Sequence, residues 1–296
     1  MPPQSVLIVG ASRGLGLALV KKYAEVVPPS KVFATVRGPA EKEKNKFPRG
    51  VKVVENIDVS VEDCGRKIEA GLQGTAVEVV VIVAGLLRPE SFQPLQLLLI
   101  VWKVFAVHAT ERGSAPTDAV ADIRGTRLGG RSINVQDLRH GSRLHRPLAS
   151  SRVQYNALCP NAKIVLLTSE AGSITLRTVK EGGGMYGHHG SKAAGNMMGR
   201  LLSFDLKDQG IPLAMVHPGF LKTEMTKNAG MEEFYEKMGA VTPEEAAVPF
   251  YDFVEKLDMS MTGKLWAPMG ARGIGNAQEV LGEDIVNHKG PLELPW

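Results

Sequence analysis

Ser5-Val6-Leu7-Ile8-Val9-Gly10-Ala11-Ser12-Arg13-Gly14-Leu15-Gly16 is the stretch that decides the fold. Ser5–Val9 is an apolar run short enough for a buried strand, and from Leu15 to Val26 the apolar residues recur with helical period. Gly10, Gly14 and Gly16 lie between the two, and the helix opens inside the glycine motif. A strand, a glycine loop and a helix in that order let backbone amides and the positive end of the helix approach a pyrophosphate. Glycines also serve ordinary tight turns. Here spacing, position and flanking elements agree on dinucleotide binding.

Working outward, Lys31–Val36 and Val51–Glu55 read as strands, and Val77–Val83 is apolar and β-branched on nearly every residue, which suits a strand covered on both faces. Lys163–Thr168, Ile211–Val216 and Gly263–Ala267 complete the set of strands. Ser60, with Asp63 three residues on, predicts a capping box opening a helix to about Gln73. Further helical stretches are Gly190–Lys207 and Pro243–Leu257. Strands alternating with helices imply right-handed crossovers and a parallel, doubly wound α/β sheet. The expectation is a single Rossmann-type domain over residues 1–296, carrying an irregular insertion at 93–160.

That insertion accounts for the charge of the chain. The 296 residues carry a formal net charge of +4, with ordinary apolar and charged fractions that exclude disordered and fibrous classes. Residues 108–153 hold eight arginines and four acids, no lysine and no Phe, Tyr or Trp, so the rest of the chain is neutral. The missing aromatics argue against a single-strand nucleic-acid binder. Leu95–Val107 is apolar but broken by Gln96 and Lys103, and falls short of the roughly 20 residues of a membrane helix. Two cysteines, Cys64 and Cys159, give no disulfide framework, which fits a reducing, cytoplasmic setting. The first residues lack a basic region ahead of their apolar run and do not read as a signal peptide.

The Gly10-x-x-x-Gly14-x-Gly16 spacing resembles the short-chain dehydrogenase/reductase family, over roughly residues 4–92 and 161–268. The resemblance implies a single-domain Rossmann fold using NAD or NADP, with Ser12 and Leu15 in the phosphate loop. It also implies that Asp58-Val59 contacts adenine and that Ala84-Gly85 follows the fourth strand, although the family's Asn-Asn-Ala-Gly is here Ile82-Val83-Ala84-Gly85. Charge points to NADP. The second strand ends in Thr35-Val36-Arg37 with no acid nearby to take ribose hydroxyls. Arg13 and Arg37 together are suited to clamp a 2′-phosphate, the alternative being two solvated surface arginines.

The same resemblance implies that a serine at the end of the fifth strand binds the reacting oxygen. In Thr168-Ser169-Glu170-Ala171-Gly172-Ser173 that residue is Ser169, with Ser173 as the alternative. The family's Tyr-x-x-x-Lys falls on Tyr186-Gly187-His188-His189-Gly190-Ser191-Lys192, where Lys192 would hold the nicotinamide ribose. Four residues before Lys192 stands His188, and Tyr186 is six away, on a different helix face. Three readings stay open. His188 replaces the phenol as proton donor; or the helix starts later and a glycine loop brings Tyr186 to the oxygen; or the proton relay is lost. The adjacent histidines do not read as a metal site.

Pro218, Gly219 and Thr223 match the family's Pro-Gly-x-x-x-Thr segment, which covers the nicotinamide and reaches the phosphates. Met225, Met231, Phe234, Tyr235 and Met238 then suit either a lid over a hydrophobic substrate or ordinary helix packing. Asn134 is the candidate for the family's relay-supporting asparagine. The C-terminal Trp266-Ala267-Pro268 and Leu294-Pro295-Trp296 resemble a carbonyl-reductase-like fungal and bacterial subgroup, some of whose members act in secondary metabolism. Residues 93–160 are either a genuine Arg-rich insertion or the product of a retained intron or reading-frame error. Together these readings lead to an NADP-dependent oxidoreductase interconverting a carbonyl and an alcohol on a hydrophobic small molecule. Neither nucleic acid nor membrane is an expected partner, and homodimers or homotetramers are the expected assemblies. The alternative is a non-catalytic NADP-binding sensor or scaffold.

Overall fold

The computed structural model describes residues 2–61, 63–83 and 158–296. Chain order runs β1 (Val6–Val9), α1 (Gly14–Ala24), β2 (Val32–Thr35), α2 (Ala40–Glu43), β3 (Lys52–Val54), α3 (Cys64–Leu72) and β4 (Val77–Ile82). It continues β5 (Leu158–Leu167), α4 (Tyr186–Lys207), β6 (Leu213–Val216), α5 (Glu224–Asn228), α6 (Pro243–Lys256), β7 (Leu265–Ala267), α7 (Ala277–Leu281) and β8 (Leu292–Leu294). The strands form one sheet in the order β3-β2-β1-β4-β5-β6-β7-β8. All neighbours are parallel except β7 and β8, which pair antiparallel through Leu265 and Leu294. The strand order reverses at β1, between β2 and β4, and open α/β sheets bind ligands at the carboxyl ends of the strands at such a point.

Every residue of β1 and β2 is buried. Helices cover both faces, so the strands read as continuous apolar runs rather than alternating ones. On one face α1 packs against α6, where the Tyr23 and Tyr251 rings meet edge-on at 5.2 Å. Val6, Ile8, Leu19, Tyr23, Val81, Phe250 and Phe253 belong to this core. α6 is started by a capping box, in which Thr242 accepts from the Glu245 amide at 3.2 Å and the Glu245 carboxylate accepts from the Thr242 amide at 2.7 Å. On the other face Gly199 of α4 lies so close to the sheet that a β-carbon there would sit 2.3 Å from Met215 Sδ.

Several sequence expectations need correction. Ser60 does not cap α3: its amide and hydroxyl both donate to Asp58 Oδ1, at 2.9 and 2.7 Å, and the helix begins four residues later at Cys64. The short Asp side chain satisfies those donors locally, in competition with helix initiation. β5 begins at Leu158 rather than Lys163. Its first residues pair with Val77 across an irregularity that ends where Val79 meets Lys163, and Pro160 falls inside this interruption, where a missing amide proton does least harm. β8 was not anticipated, because three residues beside Pro291 and Pro295 carry too little periodicity. Among the described residues no helix is long and apolar enough to cross a membrane.

Candidate active site

The glycine loop closes the way its residue types dictate. Gly10 and Gly14 have φ of 90° and 55°, the left-handed region that costs other residues strain. A β-carbon on Gly16 would lie 2.2 Å from the Gly10 carbonyl oxygen, so only glycine lets α1 leave the strand this tightly. The loop is tied to the end of β2 by the Gly10 amide donating to Thr35 Oγ1 at 3.0 Å and the Ala11 amide to the Thr35 carbonyl at 2.9 Å. The first turn of α1 has no acidic residue and no side-chain cap. Its first amides, around Ser12, Arg13 and buried Leu15, have no partner among the described residues and suit an anion.

The segment after β6 faces this loop. A β-carbon on Gly14 would sit 3.7 Å from Thr223 Cγ2, and Arg13 Nη1 pairs with Glu224 Oε2 at 2.9 Å. Gly219, after Pro218, takes φ 88° and abuts Met269. Thr223 caps α5 by accepting from the Thr226 amide at 3.2 Å, and its hydroxyl also lies 3.1 Å from Thr226 Oγ1. Tyr235 is pinned by its hydroxyl 2.7 Å from Thr226 Oγ1 and by an edge-on contact with Phe220, whereas Phe234 and Met238 are exposed. Arg37 is exposed at the end of β2. Asp58 is also exposed; its carboxyl is held below its usual range by the Ser60 hydrogen bonds and, to a smaller extent, by Arg37. Val59 is half-buried beside it. Ala84, Gly85 and Asn134 lie outside the described residues.

Beyond β5, Ser169 caps the tight turn Glu170–Gly172, its Oγ accepting from the Ala171 amide at 3.1 Å. Ser169 is half-buried, and its hydroxyl proton has no acceptor among the described residues. Ser173 is fully buried, with its oxygen taken by the Leu176 amide at 3.1 Å, so it serves the loop. The turn seats directly on α4: a β-carbon on Gly172 would meet the Lys192 carbonyl carbon at 2.6 Å and Asn196 Nδ2 at 2.7 Å.

α4 starts at Tyr186, four residues earlier than the sequence predicts. Tyr186 is thus already helical, is 77% exposed, and turns its hydroxyl back toward Gly183. The premise of a later helix start, which would carry Tyr186 to the oxygen, is not met. His188, Lys192 and Asn196 follow at four-residue steps on one face. Burial first, then the charge of Lys192, lowers His188 to about 4. Burial alone lowers Lys192 to about 8. His217, at the end of β6 and 6% exposed, is lowered to about 3 by burial and then by Lys192. Both imidazoles are therefore neutral at pH 7, beside an ammonium that gives up its proton readily.

His217, Asn196 and Thr168 were not singled out from the sequence. Yet Thr168 Oγ1, His188 Nδ1, both amide atoms of Asn196 and both ring nitrogens of His217 are buried without a hydrogen-bond partner among the described residues. Buried polar atoms are seldom left so, and a set of them at the carboxyl ends of β5 and β6 suits a site whose polar partners come from a ligand. The available signal was position: Asn196 lies four residues from Lys192, on a face otherwise given to small residues.

The strand order, with the glycine loop at the carboxyl end of β1, defines a Rossmann-type α/β fold. No protein-family model matches the chain. Over 118 residues it is 33% identical to a 1-hydroxy-2-glutathionyl-2-methyl-3-butene dehydrogenase of Rhodococcus, covering 40% of this chain and 49% of that protein. Over another 118-residue match it is 35% identical to an uncharacterized oxidoreductase of Saccharomyces cerevisiae, covering 38% of this chain and 44% of that one. The chain thus matches about half the length of these curated relatives. Among solved structures, an NADPH-bound carbonyl reductase from chicken fatty liver superposes with a TM-score of 0.58 at 23% identity, over 90% of this chain and 97% of that one. The solved structure shares the fold, and the curated matches are to oxidoreductases over part of their length.

Proposed function

We propose that the protein is an NADP-dependent oxidoreductase that interconverts a carbonyl and an alcohol on a hydrophobic small molecule. The observation that carries this reading is the neutral His188 one helical turn from Lys192, on the helix face that receives the Ser169 turn. The names of the similar proteins, an oxidoreductase, a dehydrogenase and an NADPH-bound carbonyl reductase, support it.

The residues fit the cofactor. The loop offers the first-turn amides of α1 and a Gly16 that no larger residue replaces, Thr223 stands opposite, and exposed Arg37, with Arg13 beside Glu224, suits a 2′-phosphate. When bound, NADPH supplies a hydride to the carbonyl carbon. The chain's own groups do the rest. Ser169 donates its free hydroxyl proton as a hydrogen bond to the substrate oxygen. His188 polarises that oxygen through a neutral N–H, a task suited to imidazole rather than imidazolium. Lys192 binds ribose hydroxyls, and its ammonium supplies the proton that the oxygen takes, relayed through His188, whose other nitrogen takes a proton as the first is given, leaving a neutral amine. Exposed Phe234 and Met238 beyond Thr223 give an apolar substrate something to contact.

The exposed Tyr186 favours a second reading, a non-catalytic NADP-binding sensor. Titration of the protein with NADPH, followed by turnover on a panel of ketones and aldehydes, separates the two. Tight binding with turnover abolished by His188→Ala is expected. Binding without turnover, unchanged on introducing His188→Tyr, would favour the sensor, and no fluorescence change with NADPH would remove the cofactor assignment.

A further inference from the structure

One side chain that the proposed chemistry leaves unused ties the Ser169 turn to the His188 turn. Arg177 lies in the loop between β5 and α4, with its side chain only 25% exposed. Its Nη2 pairs with the Glu170 carboxylate and reaches the Glu170 carbonyl at 3.5 Å. Its Nη1 meets Glu181 at 2.5 Å and donates to His189 Nε2 at 3.0 Å. His189 passes the connection on, its Nδ1 lying 3.0 Å from the Met185 carbonyl. A carbonyl only accepts and a guanidinium only donates, so the proton sits on Nδ1 and Nε2 is the acceptor. Met185, the residue before α4, has φ 47°, a conformation uncommon outside glycine, and the His189 bond spans the turn it makes. Finally, the His189 ring stands edge-on to His188, with centroids 5.5 Å apart and planes at 87°.

Glu170 follows Ser169 in the chain, and His189 follows His188. One guanidinium therefore grips the neighbour of each group that would address the substrate oxygen. Resting on the function proposed above, we propose that Arg177 is a positioning residue that, through Glu170 and His189, sets the Ser169 hydroxyl and the His188 ring in register. The strap is not an anion site, because two carboxylates already face its single cation. Nor can lysine stand in for it, since a point charge lacks the planar fork that reaches Glu170, Glu181 and His189 together. The charged and titratable groups acting on His188 are Lys192 and His189 on its own helix and Arg177 from the loop.

The test compares Arg177→Met, Arg177→Lys, His189→Phe and the double variant Arg177→Met/His189→Phe in the full chain. Nitrogen NMR of the imidazoles, in protein without cofactor, is expected to show His189 protonated at Nδ1 alone in the unaltered chain. Both Arg177 variants are expected to lose that single state. Ketone reduction should slow on the order of tenfold to a hundredfold, the scale on which small misplacements act, with NADPH affinity within about twofold because the glycine loop is untouched. The double variant should be no slower than the worse single one, since a strap is lost once. A single Nδ1–H state persisting in both Arg177 variants, or losses that multiply in the double variant, overturns the proposal. If Arg177→Met fails to fold, Arg177→Lys, which keeps the charge, carries the same readouts. If the unaltered chain reduces no carbonyl, the functional reading fails by itself, and the tautomer measurement still decides the strap.

Discussion

His217 makes the stability of this protein depend on acid in a way that can be worked out in advance. Its ordinary pKa of 6.5 falls to about 3 in the folded chain, through burial first and the Lys192 charge second. Between those values the unfolded chain binds a proton that the folded chain does not, so stability falls as pH falls. From pH 7 to pH 5 the unfolded imidazole goes from mostly neutral to mostly charged, and at about 1.4 kcal/mol per pH unit the loss comes to about 2 kcal/mol. His188 acts with the same sign, lowered to about 4, but as a half-buried group it contributes less because solvent screens it. Glu170, raised by burial, works the other way and cancels between variants that share it. Urea unfolding followed by tryptophan fluorescence at pH 7 and pH 5 measures the effect. His217→Asn removes the titration, so the difference between the two pH values should shrink by about 2 kcal/mol relative to the unaltered chain. An unchanged difference would refute the assignment of His217 as a buried neutral imidazole.

Gly16→Ala drives a methyl group into the Gly10 carbonyl, so NADPH affinity measured by fluorescence should fall at least about tenfold, by the cost of overpacking; retained affinity would mean that the loop gives way freely. Phe253, fully buried in the α1–α6 core, should cost about 3–5 kcal/mol on Phe253→Ala in the same urea assay. If His188 occupies the proton-donating position, His188→Tyr should raise ketone turnover, and a variant no faster than the parent argues against that position. With Lys192 lowered to about 8, reduction should decline as pH rises through that value and the lysine loses its proton. A rate flat from pH 7 to pH 9.5 would detach Lys192 from the chemistry.

Much of the frame was legible because it rests on local rules. Gly10, Gly14 and Gly16 announce a backbone that must approach something closely, and Val77–Ile82 announces a strand buried on both faces. What escaped depends on contacts far apart in sequence. Arg177 gains its meaning only where Glu170 and His189 converge on it, and no spacing rule links residues 7 and 12 positions away across a loop. Ser60 followed by Asp63 satisfied a capping pattern, yet Asp58 was the nearer acceptor, and competition of that kind is decided by geometry. The start of α4 was misjudged because Gly187 and Gly190 weaken helix propensity. The bond from His189 back to Met185 outweighs them. Lys192 and His188 were legible by motif, whereas His217 and Asn196 became notable only once their buried nitrogen and oxygen atoms were found without partners.

The Arg13–Glu224 pair changes what cofactor choice means in this protein. An arginine waiting in solvent would add its attraction for a phosphate in full. Here the guanidinium already gives one bond to Glu224 in an exposed pair, so a phosphorylated dinucleotide would compete with that carboxylate, and the preference it gains would be reduced by what the pair is worth. Selectivity then resides as much in the acid that lets go as in the base that takes hold. Glu224→Gln should widen the gap between phosphorylated and unphosphorylated cofactors while Arg13 stays untouched, and added salt, which weakens both partnerships, should narrow it.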